Sequence, residues 1–140
     1  IVRFSYPYRA FFDAKKDFFR GIKFQLEQRK QLNMITDSLI TPTFIDDIAY
    51  AIRFLFRNYT PEIFHIVGAD SLSPFATGKL IAKTFGFDQS LIQPTTYEEY
   101  FKNRAKRPQY SEIESKKNDF YRMKTFEEGL TEVAKQLRNF

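Results

Sequence analysis

The stretch Glu62-Ile63-Phe64-His65-Ile66-Val67-Gly68-Ala69-Asp70-Ser71-Leu72-Ser73-Pro74 decides the fold. Residues 62–67 are apolar on both faces apart from the flank, which is typical of a β-strand covered on two sides. Gly68 ends this strand, and Ser73 followed by Pro74 is typical of a helix N-cap with proline in the first turn. The stretch therefore predicts a buried strand that leads into a helix.

Two similar units precede this one in the chain. Residues 1–5 form an extended apolar run that predicts a buried strand, and Pro7 breaks it. Phenylalanine, isoleucine and leucine then recur at helical spacing through the charged segment 13–29, from Phe11 onward. A short apolar run at residues 32–35 and a following helix form the second unit. Three strand-then-helix units within 86 residues predict an α/β architecture.

Capping patterns mark the helices on either side of the less regular part of the chain. Thr43-Phe44-Ile45-Asp46 predicts a capping box at the start of the second helix. The residues expected on the buried face of that helix are Phe44, Ile48, Ile52, Leu55 and Phe56. Thr125-Phe126-Glu127-Glu128 predicts a second capping box and a last amphipathic helix. Between Gly86 and this helix we expect only a short helix at residues 97–103.

Length and composition indicate one globular unit. The chain has 140 residues, 43% of them apolar, and its 17 Phe and 8 Tyr can supply a sizeable core. No run of 18 uncharged apolar residues and no secretory signal occur, so we expect no membrane span and a cytoplasmic location. The absence of cysteine excludes disulfides, thiolate metal sites and cysteine nucleophiles, and the single histidine leaves no histidine-based metal cluster or conventional Ser-His-Asp triad with a spare. We therefore assign no metal ligand and no catalytic residue.

The positive charge is concentrated in one segment. The net charge is +5, and residues 102–124 carry eight basic and three acidic side chains, which accounts for all of it. Such a patch attracts anions, which could be nucleic acid, a membrane surface or a phosphorylated small molecule. A solvated surface loop is the alternative.

Three polar clusters are candidate sites. Ser5-Tyr6-Pro7-Tyr8-Arg9 follows a buried strand, where open α/β sheets usually bind ligands. Thr41-Pro42-Thr43 precedes a helix N-terminus, which suits an anion or a sugar hydroxyl. The segment from Arg104 to Ser111 combines guanidinium groups, a proline turn and hydroxyls, a set able to hold a diphosphate.

A phosphate-binding glycine motif and a lysine-activated tyrosine are both missing. The five glycines form no Gly-x-x-Gly or Walker pattern, so no dinucleotide cofactor is expected to bind this chain alone. No tyrosine is followed four residues later by lysine, so a lysine-activated tyrosine acid is also absent. These two absences leave the chain without the standard means of holding a dinucleotide cofactor or of activating a tyrosine as an acid.

Five segments, in this order, resemble the C-terminal half of the extended short-chain dehydrogenase/reductases. The closest resemblance is to the dTDP-4-dehydrorhamnose reductase group of the NAD-dependent epimerase/dehydratase family. The segments are Ile1-Val2-Arg3-Phe4-Ser5-Tyr6-Pro7-Tyr8, similar to L-R-T-S-W-V-Y-G; Asp37-Ser38-Leu39-Ile40-Thr41-Pro42-Thr43, similar to D-x-x-G-x-P-T; Asp47-Ile48-Ala49, similar to D-L-A; Phe64-His65-Ile66-Val67-Gly68, which resembles Y-H-L; and Ala105-Lys106-Arg107-Pro108-Gln109-Tyr110-Ser111, similar to A-R-R-P-x-N-S. Together they span almost the whole chain.

This resemblance implies a fold and a function. Residues 1–140 would be a single substrate-binding fragment of a Rossmann-type reductase, helix-rich with a few short and mostly parallel strands. The N-terminal dinucleotide-binding domain would be absent from this chain. The parent would reduce the 4-keto group of a nucleotide-linked deoxysugar with NADPH or NADH, and the fragment alone would be inactive and bind no cofactor.

The resemblance also implies which residues contact the substrate. Ser5 and Tyr6 would line the sugar and nicotinamide pocket, and Pro42 and Thr43 would border the substrate cleft. Arg107 and Ser111 would contact the phosphates or the sugar. The expected partners are the nucleotide sugar and the missing N-terminal lobe.

Other partners and functions stay open. The first strand would expose an unpaired edge and an apolar face without the missing lobe, so the isolated chain is expected to self-associate or to be only marginally stable. One alternative is a non-catalytic, reductase-like regulatory subunit. A small RNA- or anion-binding module built on residues 102–124 is less favoured, because the aromatic residues lie on apolar helix faces and are not interleaved with the basic ones.

Overall fold

Short strands alternate with helices along the chain. The computed structural model describes residues 1–12 and 14–139. Its elements, in order, are β1 (Val2–Arg3), β2 (Pro7–Tyr8), α1 (Phe18–Glu27), β3 (Leu32–Ile35), β4 (Thr43–Phe44), α2 (Ile45–Arg57), β5 (Phe64–His65), α3 (Pro74–Phe85), β6 (Ile92–Thr95), α4 (Tyr97–Phe101) and α5 (Phe126–Arg138), with a 3₁₀ turn at Gln89–Leu91. The predicted helix-rich α/β architecture is confirmed.

The strands pair in parallel, as predicted. In the described part of the chain β1 pairs with β5, β2 with β4 and β3 with β6. The β3–β6 ladder has the longest register and runs from Leu32 opposite Ile92 to Ile35 opposite Thr95. Parallel strands cannot be joined by a tight hairpin, so each pair is separated in sequence by helical connections.

Two apolar clusters form the interior. The first is built mainly from α1, α3 and α5, and its fully buried members include Tyr8, Phe19, Ile81, Phe126, Leu130 and Val133. The second lies between α2 and β5 and includes Ile48, Ala51, Phe64, Ile66 and Met123. Burial of these side chains is the main favourable contribution to folding.

Local capping chemistry behaves as predicted in α3 and α5. The Ser73 hydroxyl accepts a hydrogen bond from the Ala76 N–H at 3.1 Å, and Pro74 is the first residue of α3. Gly86 ends this helix in the left-handed region with φ of +71°, which glycine adopts without strain. Thr125 and Glu128 form the reciprocal capping box predicted for α5.

The first helix is shorter than the pattern predicts. α1 begins at Phe18, where Asp17 caps it by accepting from the Arg20 N–H at 3.0 Å. The predicted charged segment starts at Asp13, which lies outside the described residues. Phe12 precedes the helix and is exposed. The cap at Asp17 therefore decides where the helix begins, because its carboxylate satisfies a free N–H of the first turn.

The predicted capping box at Thr43 is wrong. Thr43 lies in β4, and α2 begins at Ile45 without a side-chain cap. The predicted buried face of α2 is also partly wrong, because Ile52 and Phe56 are 42% and 87% exposed. The buried residues of the helix are Asp47, Ile48 and Ala51. Asp47 occupies a buried position because Lys124, 77 residues further along the chain, provides its counter-ion.

Three strands differ from expectation. The buried strand predicted at residues 1–5 is confined to β1 and is not buried, because Ile1 and Phe4 are 75% and 51% exposed. The strand predicted at residues 62–67 pairs only over β5, although the Ile66 N–H also donates to the Arg3 carbonyl at 2.8 Å. Sequence patterning gives no strand for β6, which contains Pro94. Proline lacks an N–H and is confined to edge strands, and β6 pairs only with β3 among the described residues.

No helix in the described ranges is both long and apolar enough to cross a membrane.

Candidate functional site

A cleft of about 430 Å³ opens between α1, β3, α4 and the segment that carries Arg107. One end is bordered by Tyr6 and Phe18, and the floor includes Asn33 and the buried Ser38. The cleft thus lies between elements that are far apart in sequence, and it combines apolar walls with a few polar groups. This composition is typical of small-molecule sites.

The aromatic wall of the cleft comes from α4. Tyr97, Tyr100 and Phe101 line it, with ring centroids 4.8 Å apart for Tyr97–Phe101 and 5.1 Å apart for Tyr100–Phe101. The Thr96 hydroxyl caps this short helix by accepting from the Glu99 N–H at 3.3 Å. A wall of this kind can hold a planar ring by stacking or edge contacts.

Arg107 lies exposed at the rim of the cleft. Its backbone is fixed by a hydrogen bond, because the Arg107 carbonyl accepts from the Tyr97 hydroxyl. The neighbouring Gln109 side chain donates to the Asp37 carbonyl at 2.6 Å and fixes the same segment. No described residue forms a hydrogen bond or an ion pair with the Arg107 guanidinium. Its fork of N–H groups is therefore free to bind a phosphate or a carboxylate.

Tyr6 has an unusual backbone conformation at the cleft. Its φ is +41°, in the left-handed region that non-glycine residues seldom adopt. The Tyr6 carbonyl accepts from the Thr43 N–H at 3.1 Å, and its ring meets Phe18 edge-on with centroids 5.9 Å apart. Such strained positions are common in binding sites because the surrounding structure holds the side chain in place.

The other predicted site residues lie away from the cleft lining. Ser5 and Thr43 are buried, and the Thr43 hydroxyl donates to the Ser5 carbonyl at 2.6 Å. Pro42 is buried. The Ser111 hydroxyl donates to the Leu39 carbonyl at 3.3 Å. The structure therefore brings Tyr6 and Arg107 to the cleft, places Thr43 in β4, and places Ser5, Pro42 and Ser111 in loops outside the cleft lining.

The sequence did not identify the aromatic wall as a candidate site. It predicts a short helix at residues 97–103, and α4 spans Tyr97–Phe101. Tyr97, Tyr100 and Phe101 are spaced to share one helix face, but the same spacing also occurs in ordinary core helices. Their role in a cleft depends on the position of β3, which lies about 60 residues earlier in the chain, so the local sequence of α4 does not reveal it.

The described residues contain neither a glycine-rich phosphate-binding turn nor a group of metal ligands. Gly78 packs against Met34 and Ile92 inside the core, and Gly86 ends a helix, so neither can belong to a phosphate-binding turn. The N-termini of α1 and α3 are capped by the chain's own side chains. Within the part that the structure describes, no three His, Cys, Asp or Glu residues are grouped as metal ligands.

Comparison with known proteins gives a family match over almost the whole chain. Residues 1–139 match the family described as the RmlD substrate binding domain. Among curated proteins, the spore coat polysaccharide biosynthesis protein SpsK of Bacillus subtilis is 29% identical over 85 residues, which cover 61% of this chain and 29% of that protein. The chain therefore matches less than a third of this relative's length.

Solved structures share the fold. A dTDP-4-dehydrorhamnose reductase from Bacillus anthracis, in complex with NADP, superposes with a TM-score of 0.84 at 24% identity, over 96% of this chain and 47% of that one. The corresponding protein from Clostridium acetobutylicum gives 0.81 at 24% identity, over 98% and 48% of the two chains. A UDP-N-acetylglucosamine 4-epimerase from Bacillus cereus gives 0.71 at 18% identity, over 99% and 45%. The chain spans about half the length of each.

Proposed function

Because the chain belongs to the family of RmlD substrate binding domains, which its motifs predict, we propose that it is the substrate-binding part of an NAD(P)-dependent reductase. The proposed substrate is a nucleotide-linked deoxysugar with a keto group at carbon 4. The names of the dTDP-4-dehydrorhamnose reductases that share its fold support this substrate class.

The composition of the cleft is the observation that carries the proposal. Tyr100 and Phe101 offer a surface for a nucleobase, and the free Arg107 guanidinium suits a diphosphate. Tyr6 lies in the same cleft and would contact the sugar. A nucleotide sugar joins a nucleoside to a sugar through a diphosphate, and the cleft has a suitable group for the base, the diphosphate and the sugar.

We further propose that an N-terminal lobe, outside this chain, holds NADP or NAD and the proton donor. In the described structure β1 pairs only with β5, which leaves its other edge without a strand. Ile1 and Phe4 beside that edge are 75% and 51% exposed. A companion sheet would pair with this edge and cover these side chains. When that lobe is missing, the same edge would support self-association of the chain.

Calorimetric titration of the chain with dTDP tests the cleft. We expect saturable binding, and Arg107→Ala should weaken it about tenfold or more, because a charge-assisted contact to phosphate is lost. Lys117→Ala is the matched control, since Lys117 is an exposed cation of the same basic segment that pairs with Glu62. Equal dTDP affinity for both variants and the unchanged chain would contradict the role of Arg107.

Titration with pyrophosphate separates the base from the diphosphate. Tyr100→Ala should weaken dTDP binding and leave pyrophosphate binding unchanged, because only the nucleobase contacts the aromatic wall. The catalytic part of the proposal is tested in the longer protein that contains this chain, by following NADPH oxidation with dTDP-4-dehydrorhamnose. Absence of turnover in that protein, with dTDP binding intact, would favour the regulatory alternative.

A further inference from the structure

We propose that a second pocket, next to the cleft, binds an oxyanion, either a carboxylate or a phosphate group. This pocket has a volume of about 390 Å³ and shares Tyr6 and Phe18 with the cleft. It lies between β2 and the start of α1. The proposal goes beyond nucleotide binding and does not depend on it.

Cations dominate the wall of this pocket. Arg9, Lys15, Lys16 and Arg20 line it, and Asp17 is the one carboxylate among its described lining residues. Asp17 is already used, because its carboxylate accepts from the Arg20 side chain at 3.0 Å and from the Arg20 backbone N–H at 3.0 Å. The Asp17–Arg20 pair therefore cancels one positive charge and leaves Arg9, Lys15 and Lys16 without a carboxylate partner among the described residues.

Arg20 also fixes the shape of the pocket. Its two terminal nitrogens donate to the carbonyls of Phe12 and Lys15, while its side chain is only 14% exposed. These bonds hold the ends of the loop that carries the pocket's other side chains. The loop is thus tied to the first turn of α1.

Arg9 is oriented for oxyanion binding. It is half-buried, and its guanidinium carbon lies 4.6 Å from the centroid of the Phe12 ring. No described residue forms a hydrogen bond or an ion pair with its guanidinium. Stacking on an aromatic face uses the flat side of the guanidinium and leaves its in-plane N–H groups free. Those groups can form the paired hydrogen bonds that carboxylates and phosphates accept.

The two lysines add charge without a carboxylate partner among the described residues. Lys15 and Lys16 are exposed, and the Lys16 ammonium lies 3.5 Å from the centroid of the Phe24 ring. Cations around one pocket repel one another, and a bound anion relieves that repulsion. Because the pocket adjoins the cleft at Tyr6, the anion can be a carboxylate on the sugar of a nucleotide-sugar ligand or a phosphate of a separate one.

Titrations at constant ionic strength test this site with inorganic phosphate and with glucuronate as probes. We expect at least one probe to bind, with an affinity about tenfold weaker or more in Arg9→Ala. Arg9→Lys keeps the charge but loses the fork, so its affinity should be intermediate. Arg53→Ala, which removes an exposed cation from α2, is the matched control and should bind as the unchanged chain does. Thermal unfolding of each variant confirms that it is folded.

The outcomes separate the two sources of the anion and the two proposals. Binding of phosphate alone indicates a phosphorylated ligand, and binding of glucuronate indicates an acidic sugar. Binding of neither probe, or equal losses in the Arg9 and Arg53 variants, would overturn the site. Arg107→Ala should weaken dTDP binding, whereas the binding of the simple anions that is lost in Arg9→Ala should persist in Arg107→Ala. If dTDP fails to bind while Arg9-dependent anion binding persists, the nucleotide-sugar proposal fails and this one stands.

Discussion

The carboxylate of Asp47 in α2 lies 2.7 Å from the ammonium of Lys124, 77 residues further along the chain. The Asp47 side chain is 1% exposed, and it also accepts from the Lys124 N–H at 2.8 Å and from the Tyr121 hydroxyl at 3.0 Å. These bonds connect α2 to the end of the basic segment, just before α5. They explain why a charged residue occupies the buried face of α2.

Lys124→Met should lower the free energy of unfolding by about 3 kcal/mol, because it leaves a buried carboxylate without its counter-ion. Urea unfolding followed by circular dichroism measures this loss. Lys83→Met is the control, since Lys83 pairs with Glu127 at 3.0 Å but both side chains are more than half exposed. Exposed pairs contribute about 0–1 kcal/mol. Equal losses in the two variants would show that burial of Asp47 does not strengthen its pair.

Thr43→Val should destabilise the protein by about 2–4 kcal/mol, because two buried hydrogen bonds lose their partner. The Thr43 hydroxyl donates to the Ser5 carbonyl at 2.6 Å and accepts from the Gly68 N–H at 3.2 Å, and the residue is fully buried. Chemical unfolding measures the effect. Thr43→Ser keeps the hydroxyl and should cost about 1 kcal/mol for the lost methyl group.

The same variants test whether Thr43 contacts substrate. Thr43 does not line the cleft, so Thr43→Ser should bind dTDP with unchanged affinity. A marked loss of dTDP affinity in folded Thr43→Val protein, with the affinity retained in Thr43→Ser, would show that the hydroxyl takes part in substrate binding.

Local chemistry explains which parts of the fold the sequence predicts. The caps at Ser73 and Thr125 involve residues within one helical turn, so their pattern alone locates them. Thr43 has the same local pattern, but its hydroxyl is taken by Ser5, 38 residues earlier. The β6 strand is not predicted for two reasons. Its pairing partner, β3, lies about 60 residues away, and proline, here Pro94, is rare in β-strands.

The candidate site is predictable to a similar extent. Tyr6 and Arg107 are polar residues in loops, where ligand-binding groups are common, and both reach the cleft. The aromatic wall of α4 is missed because Tyr and Phe at helical spacing also fill ordinary cores. Only the tertiary contact of α4 with β3 leaves those rings facing an open cleft.

Gly68→Ala should destabilise the protein by about 3 kcal/mol, because overpacking against rigid backbone cannot relax easily. A Cβ at this position would lie 2.1 Å from the Pro42 carbonyl oxygen. Gly21→Ala is the matched control, since no atom lies within 4 Å of its added Cβ and it occupies the middle of α1. That variant should gain about 0.5–1 kcal/mol from better helix propensity. Thermal and urea unfolding of both variants measure the two changes in stability, which should have opposite signs.

Tyr8→Phe should make the protein more resistant to alkaline unfolding. Burial, followed by the nearby charges of Asp47 and Asp70, raises the pKa of Tyr8 well above its ordinary value of 10.0. The folded state therefore keeps the phenol proton after the unfolded chain has lost it. The stability that this contributes is complete below pH 10 and falls as the pH rises above it, toward the raised pKa of the folded state. Phenylalanine has no proton to lose, so the variant escapes this penalty.

The Lys124 ammonium contributes to stability in the same alkaline range. Burial lowers the pKa of Lys124, but the hydrogen bond and charge of Asp47 outweigh it, so the pKa lies above its ordinary 10.5. Its contribution is complete below that value and is lost at higher pH, so Tyr8→Phe removes only part of the alkaline sensitivity.

Urea unfolding at pH 8 and pH 11 measures how Tyr8→Phe changes the free energy of unfolding. Near neutral pH the variant should differ little, because the Tyr8 hydroxyl makes only a long hydrogen bond, 3.5 Å, to the Phe126 carbonyl. Tyr59→Phe, at a residue 82% exposed, is the control. An equal response of both variants at pH 11 would contradict the role assigned to the buried phenol.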